Sequence, residues 1–246
     1  MSKSKKEEIF AGALRVTKNF APALTSAFQQ IGWVSPEFAL LSSSILSVVG
    51  YYGDYANDRT LDFLQQFVEN KERLVQEIVQ SDKFKAVFIK TLSDNITESN
   101  ESKRQMLKKY ILNFACGIES EFDEHTKLLN ALNTITLEEV TILKLWDEDG
   151  IIQNDRRYQQ IGRLTVGDIS SIVLDTRKSG KTILDRYENS VMELVKNKDV
   201  GNQILLSLGY KGLLYVLSED NFGSGQEARV KDITDFGKVF LSFIKQ

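Results

Sequence analysis

The chain has very little of the residues on which many catalytic and metal sites depend. In 246 residues it contains one cysteine, Cys116, and one histidine, His125. A single cysteine excludes an internal disulfide and fits a reducing compartment, so we expect a cytoplasmic protein. A single histidine excludes metal sites that need several imidazoles, and it limits Ser-His or Cys-His catalytic pairs to those that use His125.

Proline and excess positive charge are also scarce. The two prolines, Pro22 and Pro36, lie near the N-terminus, so no proline interrupts the helical patterns that follow. The formal net charge is -3, whereas broad nucleic-acid binding relies on a basic surface. The composition is that of an ordinary soluble protein with a length that allows two modest domains.

Residues 1–134 show apolar residues at helical spacing almost throughout, which predicts a helical bundle domain. One helix is predicted over residues 7–30 and the next begins at Pro36, behind the N-cap Ser35. A further helix is predicted to begin at Asp58, with an apolar face that reaches Ile78. Shorter helices follow up to residue 132, and Gly117 is predicted to end one of them.

Residues 38–53 carry no charge and have two interpretations. The stretch is shorter than the ~20 apolar residues that a bilayer span needs, which favours a buried core helix. The alternative is an interfacial hairpin, formed with the first helix over residues 9–56, that contacts a membrane surface or another protein. The residues predicted for that interaction or membrane face are Phe10, Phe20, Leu24, Phe28, Trp33, Phe38, Leu41 and Ile45.

Residues 135–246 have the element order of a winged helix-turn-helix. Thr136 and Glu139 form a capping-box pattern that opens a helix ending at Trp146. After an insert at about 151–198, an apolar helix is predicted over 199–209 and strands over 213–217 and 229–233. The glycine-containing turn 221–225 joins the strands, and a closing helix covers 234–244. The predicted fold is therefore mainly α, an N-terminal helical bundle plus a C-terminal winged helix-turn-helix with a two-stranded wing.

The helix before the wing is the one that enters the major groove in DNA-binding versions of this arrangement. Its body is mostly leucine and isoleucine, and few cations surround it, which favours packing against protein over a phosphate footprint. In the DNA-binding alternative, the contacts are Lys198, Asn202, Gln203, Lys211, Arg229 and Lys231.

Other motif-like stretches do not predict a site. Residues 179–182 (Ser-Gly-Lys-Thr) resemble a phosphate-binding loop, but Asp175 occupies the position of the required glycine. The glycines of residues 223–228 imitate a dinucleotide fingerprint without room for a βαβ unit, and they suit a hairpin tip. The acidic residues around His125 suit a polar helix end better than a metal cluster. We therefore predict no catalytic, cofactor-binding or metal-binding residue.

Four segments carry a resemblance to a known group. They are residues 83–88 (Lys-Phe-Lys-Ala-Val-Phe), the charged helix 103–114, residues 129–136 (Leu-Asn-Ala-Leu-Asn-Thr-Ile-Thr) and residues 233–240 (Ile-Thr-Asp-Phe-Gly-Lys-Val-Phe). In this order the chain resembles uncharacterised prokaryotic helical proteins with a C-terminal winged helix, similar to the abortive-infection alpha type. The resemblance implies an accessory or defence-linked, non-catalytic role, although the insert 151–198 lies outside its pattern.

The sequence thus favours a non-enzymatic protein-interaction or oligomerisation protein, with a protein partner or a second copy as its binding partner. In this hypothesis the apolar hairpin, residues 9–56, packs on that partner and the winged module relays or limits the contact. A DNA-binding transcriptional regulator is the first alternative, and a membrane-associated effector acting through residues 9–56 is the second.

Overall fold

The computed structural model describes residues 20–34, 36–118, 122–147, 151–152, 155, 163–178, 197–221 and 225–245. The structure is mainly helical and has a small two-stranded antiparallel sheet, as the sequence predicts. The chain divides into two compact units, Met1–Asn133 and Thr134–Lys245, with Gln246 grouped with the first.

The described part of the first unit is built from α-helices and one short 3-10 turn. Its helices are α1 (20–31), α2 (Pro36–Tyr52), α3 (Asp54–Glu69), α4 (Gln76–Gln80), α5 (Asp82–Thr97), α6 (Glu101–Ala115) and α7 (Phe122–Thr134), with the 3-10 turn at Lys71–Arg73 between α3 and α4.

The predicted helix from Asp58 to Ile78 is wrong at both ends. Gly53 adopts φ 86°, a left-handed conformation that separates α2 from α3, so α3 begins four residues before Asp58. At the other end, the Asn70 side chain donates to the Gln66 carbonyl and closes the helix. The Val75 amide then bonds to Ala115 at the end of α6, 2.9 Å away, instead of continuing a helical ladder.

Side-chain caps set the bounds of α5 and α6. Ser81 Oγ accepts the Phe84 amide at 3.1 Å, and Asn100 Oδ1 accepts the Lys103 amide at 3.2 Å. Gly117 follows the last turn of α6 with φ 88°, which confirms the predicted C-cap.

The second unit combines four α-helices with the sheet in the residues that the structure describes. They are α8 (Leu137–Leu143), a 3-10 turn (Lys144–Trp146), α9 (Val166–Lys178), α10 (Lys198–Tyr210), β1 (Leu214–Asn221), β2 (Gly225–Ile233) and α11 (Asp235–Ile244). The predicted capping box is present, because Thr136 Oγ1 accepts the Glu139 amide and the Glu139 carboxylate accepts the Thr136 amide. Residues 222–224 of the predicted turn lie outside the described residues.

Part of the predicted insert belongs to the sheet and packs in this unit. Leu164 exchanges both backbone hydrogen bonds with Val230 of β2, at 2.8 and 2.9 Å. Thr165 and Asp168 then cap α9 reciprocally, which turns the chain directly from this bridge into a helix. Sequence periodicity missed the bridge because one paired residue is too short to leave an alternating pattern.

The β1–β2 hairpin has a bulge in β2. Val216 lies opposite Val230 while Tyr215 lies opposite Asp232, so Lys231 is the extra residue of a bulge on β2. Leu214, Val230 and Ile233 are buried. The side chain of Val216 packs on Gly209 of α10, where an added Cβ would lie 2.9 Å from the valine Cβ. One face of the sheet is therefore closed by α10.

Candidate functional site

The six residues predicted for DNA contact lie on α10, just after it, or on β2. Asn197 starts α10 as its N-cap, accepting the Val200 amide at 3.3 Å, and the helix ends at Tyr210. Gln203 and Lys231 are exposed, as is Lys198 at the first turn of the helix. Asn202, Lys211 and Arg229 have contacts inside the unit, and so does Lys198. These contacts limit the groups that this surface can offer to a partner.

Asn202 is buried and holds the hairpin against α10. Its Oδ1 atom accepts the backbone amide of Ala228 at 3.2 Å. A side chain that satisfies a buried main-chain donor cannot leave it for a base edge without stranding that donor. The prediction that Asn202 reads DNA is therefore wrong, and its role is to position β2.

Lys198 and Arg229 share one carboxylate. Lys198 Nζ lies 2.9 Å from one Glu227 oxygen and Arg229 Nη2 lies 3.6 Å from the other. Glu227 is itself a partly buried residue of β2. Surface pairs of this kind contribute little to stability, but the carboxylate lowers the positive potential that a phosphate would meet.

Lys211 is part of the internal framework. Its Nζ donates to Glu139 Oε1 at 2.8 Å and to Ser207 Oγ at 2.6 Å. The other oxygen of the buried Glu139 accepts the Thr136 amide at 2.8 Å. Lys211 thus links the start of α8 to the end of α10, and its predicted role as a DNA contact is corrected on these grounds.

Large apolar side chains stand in solvent on the same unit. Tyr215 is 54% and Leu217 43% exposed on β1, and Tyr210, the last residue of α10, is 86% exposed. Tyr215 and Leu217 flank Val216, whose side chain packs on α10, so they lie on the opposite face of the strand. This surface is not evident from the sequence, because an unbroken apolar run is typical of a buried strand; only the period-two alternation of side chains indicates it.

The predicted interaction or membrane face of the first unit is a buried core. The members that the structure describes are all buried, and these are Phe20, Leu24, Phe28, Trp33, Phe38, Leu41 and Ile45. Phe10 lies outside the described residues. A folded unit does not present these side chains to a membrane or a partner, so the assignment of this face is wrong.

Trp33 is the centre of that core. Its ring stacks on Phe38 with 5.0 Å between centroids and meets Phe28 edge-on at 5.4 Å. Phe67 and Phe88 close the other sides at 5.4 and 5.6 Å. Aromatic contacts of this geometry contribute beyond the area that they bury, which explains why the uncharged stretch after Pro36 turns inward.

The outward side of α2 is formed by other residues. Leu40 is 75% and Tyr51 82% exposed. Between them, Ser43 and Ser44 donate their hydroxyls to carbonyls one turn earlier, each at 3.0 Å. Both serine hydroxyls are thereby satisfied within the helix. Residues 38–52 of α2 carry no charge, and Glu37 is in the first turn.

His125 is buried against aromatic rings. It stacks on Phe114 with 3.6 Å between ring centroids, and Tyr110 donates its hydroxyl to the His125 carbonyl at 3.1 Å. Burial lowers the pKa of His125 to about 4, and the positive charge of Lys83 acts in the same direction. Burial likewise raises the pKa of Tyr110 above its usual range. Glu119 and Glu121 lie outside the described residues, within which no group of three or more metal-ligating side chains occurs.

The buried histidine gives a pH-dependent stability. Because its pKa falls on folding, the unfolded chain binds the proton more tightly, and stability is lost as pH drops below about 6.5 toward 4. We expect the first unit to lose about 2 kcal/mol of unfolding free energy between pH 7 and pH 5 from this group. No other histidine titrates in that interval. Urea unfolding followed by circular dichroism at both pH values measures the loss. His125→Phe is expected to lack most of it, and an unchanged pH dependence in that variant would refute the assignment.

Cys116 is half-buried after α6. Burial raises the pKa of its thiol, and the positive charge of Arg73 only partly opposes this. A raised thiol pKa reduces the fraction of thiolate, the form that acts as a nucleophile.

The glycine motif near the hairpin tip also has a structural role, because Gly225 begins β2 instead of leading into a helix. Residues 179–182 lie outside the described residues.

None of the helices in the described part of the chain combines the length and the apolar character of a membrane span. Comparison with protein families, with curated proteins and with solved structures gave no match to this chain. Fold and surface therefore define a mainly helical protein with a small antiparallel sheet, and its function has to be inferred from its own residues.

Proposed function

We propose that the chain is a non-enzymatic protein-interaction or oligomerisation protein whose second unit is a winged helix-turn-helix used for protein contacts. The order α8, Leu164 bridge, α9, α10, β1, β2, α11 supports the winged-helix assignment. In this arrangement Leu164 takes the place of the first short strand, α10 is the helix before the wing, and the β1–β2 hairpin is the wing.

The observation that carries the proposal is that polar residues of α10 and the hairpin make internal contacts, while apolar residues of the same elements are exposed. Lys198, Lys211 and Arg229 lie against carboxylates, and Asn202 supports the main chain. A DNA-binding surface needs cations that displace counterions from phosphates. The large side chains that stand in solvent are instead tyrosine and leucine. Tyrosine is enriched in protein–protein interfaces, where its ring adds apolar area and its hydroxyl can bond.

The absence of catalysis is also part of the proposal. The two residues with the greatest potential for chemistry, His125 and Cys116, are held in a ring stack and in a site that disfavours the thiolate. The resemblance to the abortive-infection alpha type supports an accessory, defence-linked role. The single cysteine supports a location in the cytoplasm.

The proposal predicts self-association or partner binding without salt-sensitive DNA binding. Light scattering coupled to size-exclusion chromatography is expected to show a mass above one chain at micromolar concentration. Electrophoretic shifts with genomic fragments at about 50 and about 200 mM salt are expected to show no binding that weakens steeply with salt.

The test variants are Lys231→Ala and Gln203→Ala, which alter exposed residues of the DNA alternative. Circular dichroism checks that each variant remains folded. DNA binding that is lost in these variants would establish the regulator in place of the interaction protein. A clean monomer over the whole micromolar range would overturn self-association and leave only binding to a different protein.

A further inference from the structure

Along the outer edge of β1, main-chain groups have no hydrogen-bond partner among the described residues. The amide and the carbonyl of Val230 both bond to Leu164, on the side of β2 that faces away from β1. Val216 lies opposite Val230 in β1, so the pair does not exchange hydrogen bonds, and the amide and carbonyl of Val216 point away from β2. Ala228 gives its amide to Asn202, and its register partner Ser218 likewise points its main chain outward. Within the residues that the structure describes, the sheet has two strands, and no third strand covers this edge.

The first half of β1 lacks the features by which proteins protect exposed strands, and the two charges of the strand, Glu219 and Asp220, come after it. Residues 213–217 contain no charge and no proline, and the bulge that would twist a strand away falls on β2 at Lys231. Tyr215 and Leu217 stand in solvent on the free face of the same strand. An edge of this kind pairs readily with another extended strand.

We propose that β1 pairs antiparallel with β1 of a second copy of this chain, about a two-fold axis at Val216, to form a four-stranded sheet. The inference rests on the proposed function and names its partner. In this register Tyr215 lies opposite the partner's Leu217, and the same pair recurs on the other side of the axis. A two-fold interface requires such self-complementarity, and aromatic–aliphatic cross-strand pairs stabilise antiparallel sheets.

The charges of the strand select this arrangement. Both acidic residues of β1, Glu219 and Asp220, lie near its C-terminal end. Parallel pairing in register would bring the acidic ends together, which is destabilising. The antiparallel register places them at opposite ends of the new sheet. A second copy therefore supplies the strand without bringing like charges together.

Cysteine cross-linking tests the register. In a Cys116→Ser background, Tyr215→Cys and Leu217→Cys are each prepared alone and then mixed under a mild oxidant. Directly opposed residues have Cβ atoms close enough for a disulfide, whereas each residue is diagonal to its own copy. We expect at least about tenfold more disulfide-linked dimer in the mixture than in either variant alone. Val200→Cys, at an exposed position in the first turn of α10 and not on β1, gives the collisional background.

The measured mass and the cross-linking pattern together distinguish failure of the strand pairing from failure of the proposed function. A Tyr215→Lys variant is expected to remain folded by circular dichroism and to shift from dimer to monomer. A dimer that keeps its mass in Tyr215→Lys and shows no cross-linking specific to the mixture would overturn the strand pairing and leave the proposed function standing. Strongest cross-linking in one single variant would overturn the register. A chain that is monomeric throughout would overturn the strand pairing together with self-association as the proposed function.

Discussion

Replacing Trp33 by alanine is expected to lower the free energy of unfolding of the first unit by about 3–5 kcal/mol. The Trp33 ring contacts Phe28, Phe38, Phe67 and Phe88 at centroid distances of 5.0 to 5.6 Å. Removing it leaves a void among four rings that are too closely packed to collapse into it. Since native domains have net stabilities of only about 5–15 kcal/mol, this single change removes a large part of the total.

Trp33→Phe is the matched control. It keeps an aromatic ring and removes the indole N–H, which is buried and has no hydrogen-bond acceptor among the described residues. We therefore expect it to lose less than half as much as alanine. Urea unfolding followed by far-ultraviolet circular dichroism compares the three proteins. A loss below about 1 kcal/mol in Trp33→Ala would show that the ring is not central to the core.

Gly237→Ala is expected to destabilise the second unit by about 3 kcal/mol or more, because the added methyl group meets the backbone. An ideal Cβ at Gly237 would lie 2.2 Å from the Leu213 carbonyl oxygen and 2.7 Å from Ile233 Cγ1. The Leu213 oxygen is held in place by hydrogen bonds from the Thr234 amide and hydroxyl. It cannot retreat, so α11 must move away from the sheet.

Gly167→Ala separates this clash from a general effect of removing glycine. Gly167 also lies in the first turn of a helix in the same unit, but its added Cβ meets only Thr165 Oγ1 at 3.6 Å. There the change is expected to be neutral or to stabilise by up to about 1 kcal/mol. Fluorescence of Trp146 in a Trp33→Phe background confines the measurement to the second unit. Equal unfolding midpoints for the two alanine variants would contradict the close approach at Gly237.

Local signals predicted the parts of the fold that depend on neighbouring residues. The capping box of Thr136 and Glu139 and the left-handed Gly117 both lie where the sequence indicates. Such caps can be predicted from sequence because the groups that hydrogen-bond to each other are only a few residues apart in the chain. The helix expected across residues 58–78 failed for the complementary reason. The helix ends at Asn70, and the backbone amide of Val75 then bonds to the carbonyl of Ala115, which is forty residues away in the chain.

The surfaces were harder to predict than the elements. An apolar residue has the same pattern whether it packs in its own unit or against a partner, so Phe28 and Trp33 were placed on a face that the fold buries. A count of the cations in the DNA alternative does not reveal that two of them, Lys198 and Lys211, pair with Glu227 and Glu139 from other elements. The exposure of Tyr215 depends on which face of β1 α10 covers.

By itself the sequence determined the mainly helical character, the terminal hairpin and the shortage of groups suited to catalysis, because composition and short-range periodicity carry that information. Only the tertiary structure decided which apolar residues are core and which are surface, and which charges are paired. Those properties depend on contacts between residues that are distant in the chain, and no local pattern records them.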